Sequence, residues 1–270
     1  MVRGSELLPG TTGLNKASIP RMYDYFLGGK DHYPADREAC HRLMNQAPQS
    51  QFLAHAQRQF RLRAVRTLAR THGIDQFVEF GCGLPKWETT HTTARRARPT
   101  SKVVYVDRDP MVVAHGRALM EDASTVVVQG DLTEAPGILS HPDLTKLVDL
   151  AKPVAVLAVS YLHTLPGRTN DQAAVTRLIN ALATGSFLVA SQLVSHEPEL
   201  TGRIDAMMHD VTGGQWGHLR SAPEATVLFD GLELLDPGVT DVTLWRPDDM
   251  QRRPVPGPLQ EIGGVGRKTG

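Results

Sequence analysis

The run Gln76-Phe77-Val78-Glu79-Phe80-Gly81-Cys82-Gly83 constrains the fold more than any other, because an apolar stretch of strand length stops on a glycine turn. Glycine accepts the left-handed backbone of so tight a stop and lets a ligand approach the main chain. Two later stretches repeat the theme: Val103-Val104-Tyr105-Val106 ends on Asp107, and Val126-Val127-Val128-Gln129-Gly130 ends on Asp131. Strands are expected over 76–80, 102–106, 125–129, 153–160 and 186–194, with helices over about 88–98, 110–120, 143–150 and 171–183. This alternation predicts an α/β fold, a mostly parallel sheet with helices on both faces. The valine-rich, nearly continuous strands suit burial on both sides. Past residue 195, helices near 198–210 and 222–230 precede two last strands, about 239–245 and 259–267.

Upstream of Gln76 the pattern is helical. Residues 1–17 read as a flexible arm, 18–73 as a helical cap and 74–270 as the main domain, with Asp248 to Pro258 a Pro-rich mobile loop. A first helix is expected from Ser18, with Pro20 in its first turn, to Gly28-Gly29; a second runs from Pro34 to Gln46. The third, Gln49 to Thr71, carries Phe52, Ala56, Phe60, Ala64 and Leu68 on one face. Arg58, Arg61, Arg63, Arg66 and Arg70 then read as its solvated side.

Lys plus Arg equals Asp plus Glu at 29 each, so no bulk charge points to nucleic acid or to a membrane surface. No apolar run approaches the roughly 20 residues that cross a bilayer. Cys40 and Cys82 are too few for a disulfide framework, which suits a cytoplasmic protein. The scattered histidines predict no metal site.

Ligands of open α/β sheets bind at the carboxyl ends of the strands, where strand order reverses. Gly81, Cys82 and Gly83 form the turn there, Asp107 is placed to accept hydrogen bonds from ribose hydroxyls, and Asp131 from an adenine amino group. Arg108 and Leu132 adjoin them. Glu79 lies inside a strand, where a carboxylate must be paired or meet a ligand. Together these positions describe a pocket for a nucleoside-bearing cofactor. A dinucleotide fingerprint needs a third glycine, and Leu84-Pro85-Lys86 follows Gly83 instead, which counts against a nicotinamide oxidoreductase.

The order of an E-x-G-x-G turn, an acid after the second strand and Gly130-Asp131-Leu132 after the third resembles the class I methyltransferases. The run Tyr23-Asp24-Tyr25-Phe26-Leu27-Gly28-Gly29-Lys30-Asp31-His32-Tyr33 is similar to the opening signature of a bacterial family described as S-adenosyl methyltransferases. Leu162-His163, Phe229 to Leu234, Trp245-Arg246-Pro247-Asp248 and Gly264 to Lys268 extend the match over roughly 18–268. Glu79-Phe80-Gly81-Cys82 departs from it where many relatives carry Asp-Ile-Gly-Thr. The resemblance implies a Rossmann-like, mostly parallel seven-stranded sheet with an N-terminal helical cap, and S-adenosylmethionine as cofactor. It does not imply an acceptor.

Methyl transfer is an in-line displacement at an activated sulfonium, so the protein mainly aligns the nucleophile and excludes water. In related folds the segment Ser160-Tyr161-Leu162-His163-Thr164 lies beside the methyl group. His163 is the first candidate base, the alternative being a histidine bonded to backbone. From the cap, Tyr23 and Tyr33 offer faces for the sulfonium and Asp24 a carboxylate for the cofactor's amino group or an acceptor, the alternative for all three being cap packing; Gly28 and Gly29 form a covering loop or a helix stop. Ser160 is counted with the cofactor pocket, and Trp216 with an acceptor-side loop. The expected activity is methylation of a small molecule, with no nucleic acid or membrane partner. A homodimer, other sulfonium chemistry and a silent cofactor-binding regulator stay open.

Overall fold

The structure, a computed structural model, describes residues 13–165, 171–248 and 257–270. Most of the expected arm and of the 248–258 loop lies outside them. All fourteen helical and strand segments expected between residues 18 and 230 start within two residues of an observed element; those over 143–150, 171–183 and 222–230 end at least three residues early.

Three helices come first: α1 (Ile19–Phe26), α2 (Pro34–Gln46) and α3 (Ser50–Thr71). Pro20 and Pro34 occupy first-turn positions, where a missing N–H leaves no bond unmade. Asp36, fully buried, ties the pair together. Its carboxylate accepts from Tyr33 N at 2.7 Å and Ser18 N at 2.9 Å and pairs with Arg21 at 2.8 Å. The rest alternates: β1 (Gln76–Phe80), α4 (Thr90–Ala97), β2 (Lys102–Asp107), α5 (Pro110–Met120), β3 (Thr125–Gln129), α6 (Ala135–Leu139), α7 (Pro142–Leu147), β4 (Ala155–Val159), α8 (Asp171–Asn180) and β5 (Phe187–Ser195). Then come α9 (Pro198–Thr212), α10 (Ala222–Thr226), β6 (Glu233–Leu234), β7 (Thr240–Asp241) and β8 (Leu259–Arg267).

The sheet order is β3-β2-β1-β4-β5-β8-β6, with β7 also on β8; β1 to β5 pair in parallel and β8 runs antiparallel to β5. Strand residues alternate between two cores. Val78, Val104, Val156 and Leu188 pack against α6, α7 and α8, whereas Phe77, Val103, Ala155 and Val189 pack against α3, α4 and α5. A third cluster joins α1, α2 and the start of α3 to α9. Thus α3 serves both the cap and the main sheet.

Two expectations change. The sheet has eight strands rather than seven, and the strand expected over 239–245 shrinks to Thr240–Asp241. The reason is Arg63, whose guanidinium donates to Trp245 O at 2.9 Å and Val242 O at 2.5 Å and so takes the place of a strand ladder. The arginine face of α3 is therefore not uniformly solvated: Arg63 is 2% exposed, and Arg61 reaches Glu79.

Candidate functional site

Strand order reverses between β1 and β4, and the main cavity opens at the carboxyl ends of these strands, about 530 Å³ in volume. At the end of β1, Gly81 and Gly83 take φ of 67° and 65°. A side chain at Gly81 would collide with the Tyr161 ring, so glycine is required there twice over. At the end of β2, Asp107 is 4% exposed. Its carboxylate accepts from Gly83 N and Asp109 N, both at 3.0 Å. Burial pushes its pKa up to about 6, tempered by those two bonds. The Cys82 thiol is raised by burial and by Asp107, which suits packing rather than nucleophilic attack.

The wall facing α3 is charged. Arg61 forms a buried ion pair with Glu79, whose Oε2 has no partner among the described residues. Arg58 donates to Glu88 O at 3.2 Å and also lines the cavity. Tyr23, from α1, donates to Ala54 O at 3.2 Å, and burial raises its hydroxyl to about 12. It sits within range of the charges of Arg61, Arg58, Glu261 and Glu79 together.

Across β4 and β5 lies a carboxyl that sequence reasoning missed. Glu261, on β8, is 1% exposed. It accepts from Ser191 Oγ at 2.6 Å and Ser160 Oγ at 3.3 Å. Burial raises its pKa to about 8. Ser160 holds φ of 51°, a left-handed geometry that costs a non-glycine residue about 1–3 kcal/mol. Its N–H bonds Ser191 O at 3.0 Å, and this turn aims the hydroxyl at Glu261. His163 Nδ1 accepts from Leu193 N at 3.3 Å, so the neutral ring carries its proton on Nε2. Burial, with Arg220 and His218 nearby, holds its pKa down to about 3.

Of the residues singled out in the sequence, Tyr23, Glu79, Gly81, Cys82, Gly83, Asp107, Arg108, Ser160 and His163 line this cavity, as does Trp216. Arg108 is turned partly aside, donating to Thr164 O at 2.9 Å. Others stand outside the lining. Asp24 is fully buried, paired with Lys86 and accepting from Asp31 N at 2.8 Å, and Gly29 leaves it room. Tyr33 is 37% exposed beneath the Arg21 guanidinium. Asp131 caps a short 3-10 turn by accepting from Thr133 N at 2.7 Å, and Leu132 is buried in the core. Glu261 could have been found by the argument used for Glu79: a carboxylate within a buried strand needs a reason. Arg58 and Arg61 carried no such signal, since helix spacing alone does not separate a cavity wall from a solvated face.

Residues 9–269 match the family described as S-adenosyl methyltransferase. A candidate methyltransferase of Thermobifida fusca is 34% identical, with a TM-score of 0.87 over 99% of this chain and 100% of its own. A DUF574 family protein of Streptomyces avermitilis is 33% identical, with a TM-score of 0.83 over 94% and 98%. A plantazolicin methyltransferase bound to SAH shares the fold at 11% identity and a TM-score of 0.50, over 92% and 95%. No curated protein matches. The architecture is the Rossmann-like class I methyltransferase fold.

Proposed function

This chain belongs to the S-adenosyl methyltransferase family and uses S-adenosylmethionine, and from that premise we propose that it methylates a small molecule held beneath α1, α2 and α3. The volume, about 530 Å³, falls within the range of small-ligand sites. When bound, the cofactor supplies a sulfonium methyl already activated for displacement.

The chain's own groups fit it. Asp107 accepts from the ribose hydroxyls while Gly81 and Gly83 bring the backbone close. The unpartnered Glu79 Oε2 takes the cofactor's ammonium, and Arg58 its carboxylate. Tyr23 presents a ring to the sulfonium, an attraction of about 0.5–2 kcal/mol. Asp131, within electrostatic range of Tyr161 in the cavity wall, accepts from the adenine amino group. Asp24, through Lys86, holds α1 against the glycine turn.

The observation that carries this reading is the convergence of Glu79 and Asp107 on one cavity. Calorimetric titration with S-adenosylmethionine and S-adenosylhomocysteine tests it. Both bind the wild type and neither binds Asp107→Ala; absence of binding to the wild type defeats the reading.

A further inference from the structure

We propose that Glu261 is the general base of the transfer and that the acceptor is a neutral molecule presenting a weakly acidic hydroxyl on an apolar body. The inference rests on the methyltransferase reading and adds the acceptor class to it.

Four carboxylates line the cavity, and three are already accounted for. Glu79 is paired with Arg61; Asp107 takes two backbone N–H groups; Asp109 accepts from Met111 N at 2.8 Å and Ser18 Oγ at 3.1 Å. Glu261 meets two serine hydroxyls and no cation in any described ion pair. A carboxylate keeps lone pairs beyond those two bonds, so an acceptor O–H has somewhere to donate. Phe26, Leu43, Leu53, Leu193, Met208 and Trp216 line the same cavity, which suits an apolar body.

A cationic acceptor fits less well. The Tyr23 hydroxyl feels Arg61 and Arg58 as well as Glu261, so an ammonium would join two guanidinium groups and the cofactor's own sulfonium. His163 does not supply the base, because its Nδ1 is engaged by Leu193 N–H and its other nitrogen is protonated. In the step, the acceptor O–H bond breaks as its oxygen bonds the methyl carbon. The S–CH3 bond breaks with its electron pair staying on sulfur, and the proton goes to Glu261. The products are a methyl ether and S-adenosylhomocysteine, and Glu261 later releases the proton to water.

A base working near neutral pH is most effective with a pKa in that range, and burial raises Glu261 to about 8. Asp241 on β7 and Tyr23 on α1 lie within electrostatic range of Glu261, and Arg58 and Arg61 on α3, Glu79 on β1 and His163 after β4 line the same cavity.

The test uses the full chain with S-adenosylmethionine and three probes built on one naphthalene body: 2-naphthol, the cationic 2-(aminomethyl)naphthalene and the anionic 2-naphthoic acid. S-adenosylhomocysteine is expected to form with 2-naphthol alone. Glu261→Gln lowers kcat about 10²- to 10³-fold and removes the ionisation from the pH profile of kcat/KM. Its affinity for S-adenosylhomocysteine stays within about twofold, reporting an intact fold, and Glu261→Asp restores part of the rate. Turnover of the amine or the acid, no turnover of 2-naphthol, or wild-type kcat/KM in Glu261→Gln overturns the proposal. Loss of S-adenosylhomocysteine binding by the wild type would instead defeat the parent reading.

Discussion

Arg61 on α3 and Glu79 on β1 form an ion pair in the cavity wall, with side chains 13% and 3% exposed. Removing one member leaves a buried charge alone, which costs about 3–5 kcal/mol. Arg61→Ala should therefore lower unfolding free energy by about that amount in urea. The double variant Arg61→Met, Glu79→Gln should recover most of it, because both charges are gone.

Asp107 sets a pH dependence. Its carboxyl is raised from 3.8 to about 6 by burial, and only the carboxylate offers the ribose hydroxyls a full set of acceptors. Cofactor affinity should be full above pH about 6 and fall by up to about tenfold per unit below it. Titration calorimetry from pH 5 to 8 measures this, and Asp107→Asn should flatten the profile at a lower affinity.

Glu261 affects stability with the opposite sense to a salt-bridged acid. Its ordinary value of 4.5 rises to about 8 in the fold. Between these limits the native state holds a proton that the unfolded chain has lost, so the unfolded state binds fewer protons and stability falls as pH rises. The melting temperature of the cofactor-free protein should decline from pH 6.5 to 8, above the range in which the depressed His163 contributes in the opposite sense. Glu261→Gln should decline less.

Arg63 holds the chain near β7. Arg63→Leu would leave the Val242 and Trp245 carbonyls without that donor, a loss of about 1–3 kcal/mol for each group. Hydrogen exchange in residues 240–246 should rise before it rises in β1 or β4.

Local pattern made most of this architecture readable before any coordinates. Valine-rich strands ending on Gly81, Asp107 and Gly130 announce a parallel sheet and its ligand edge, because both follow from neighbours in the chain. What escaped depends on distant partners. The short β7 follows from Arg63, which lies 179 and 182 residues before Val242 and Trp245. Glu261 acquires its surroundings from Ser160 and Ser191 on other strands.

The cavity draws its two halves from different parts of the chain. The turn at Gly81 to Gly83 and the acid at Asp107 come from β1 and β2, while Phe26, Leu43, Leu53, Met208 and Trp216 come from α1, α2, α3, α9 and the loop after it. Divergence among descendants can thus exchange the second set and change which compound is modified, while the donor seat stays untouched. Redesign has the same freedom.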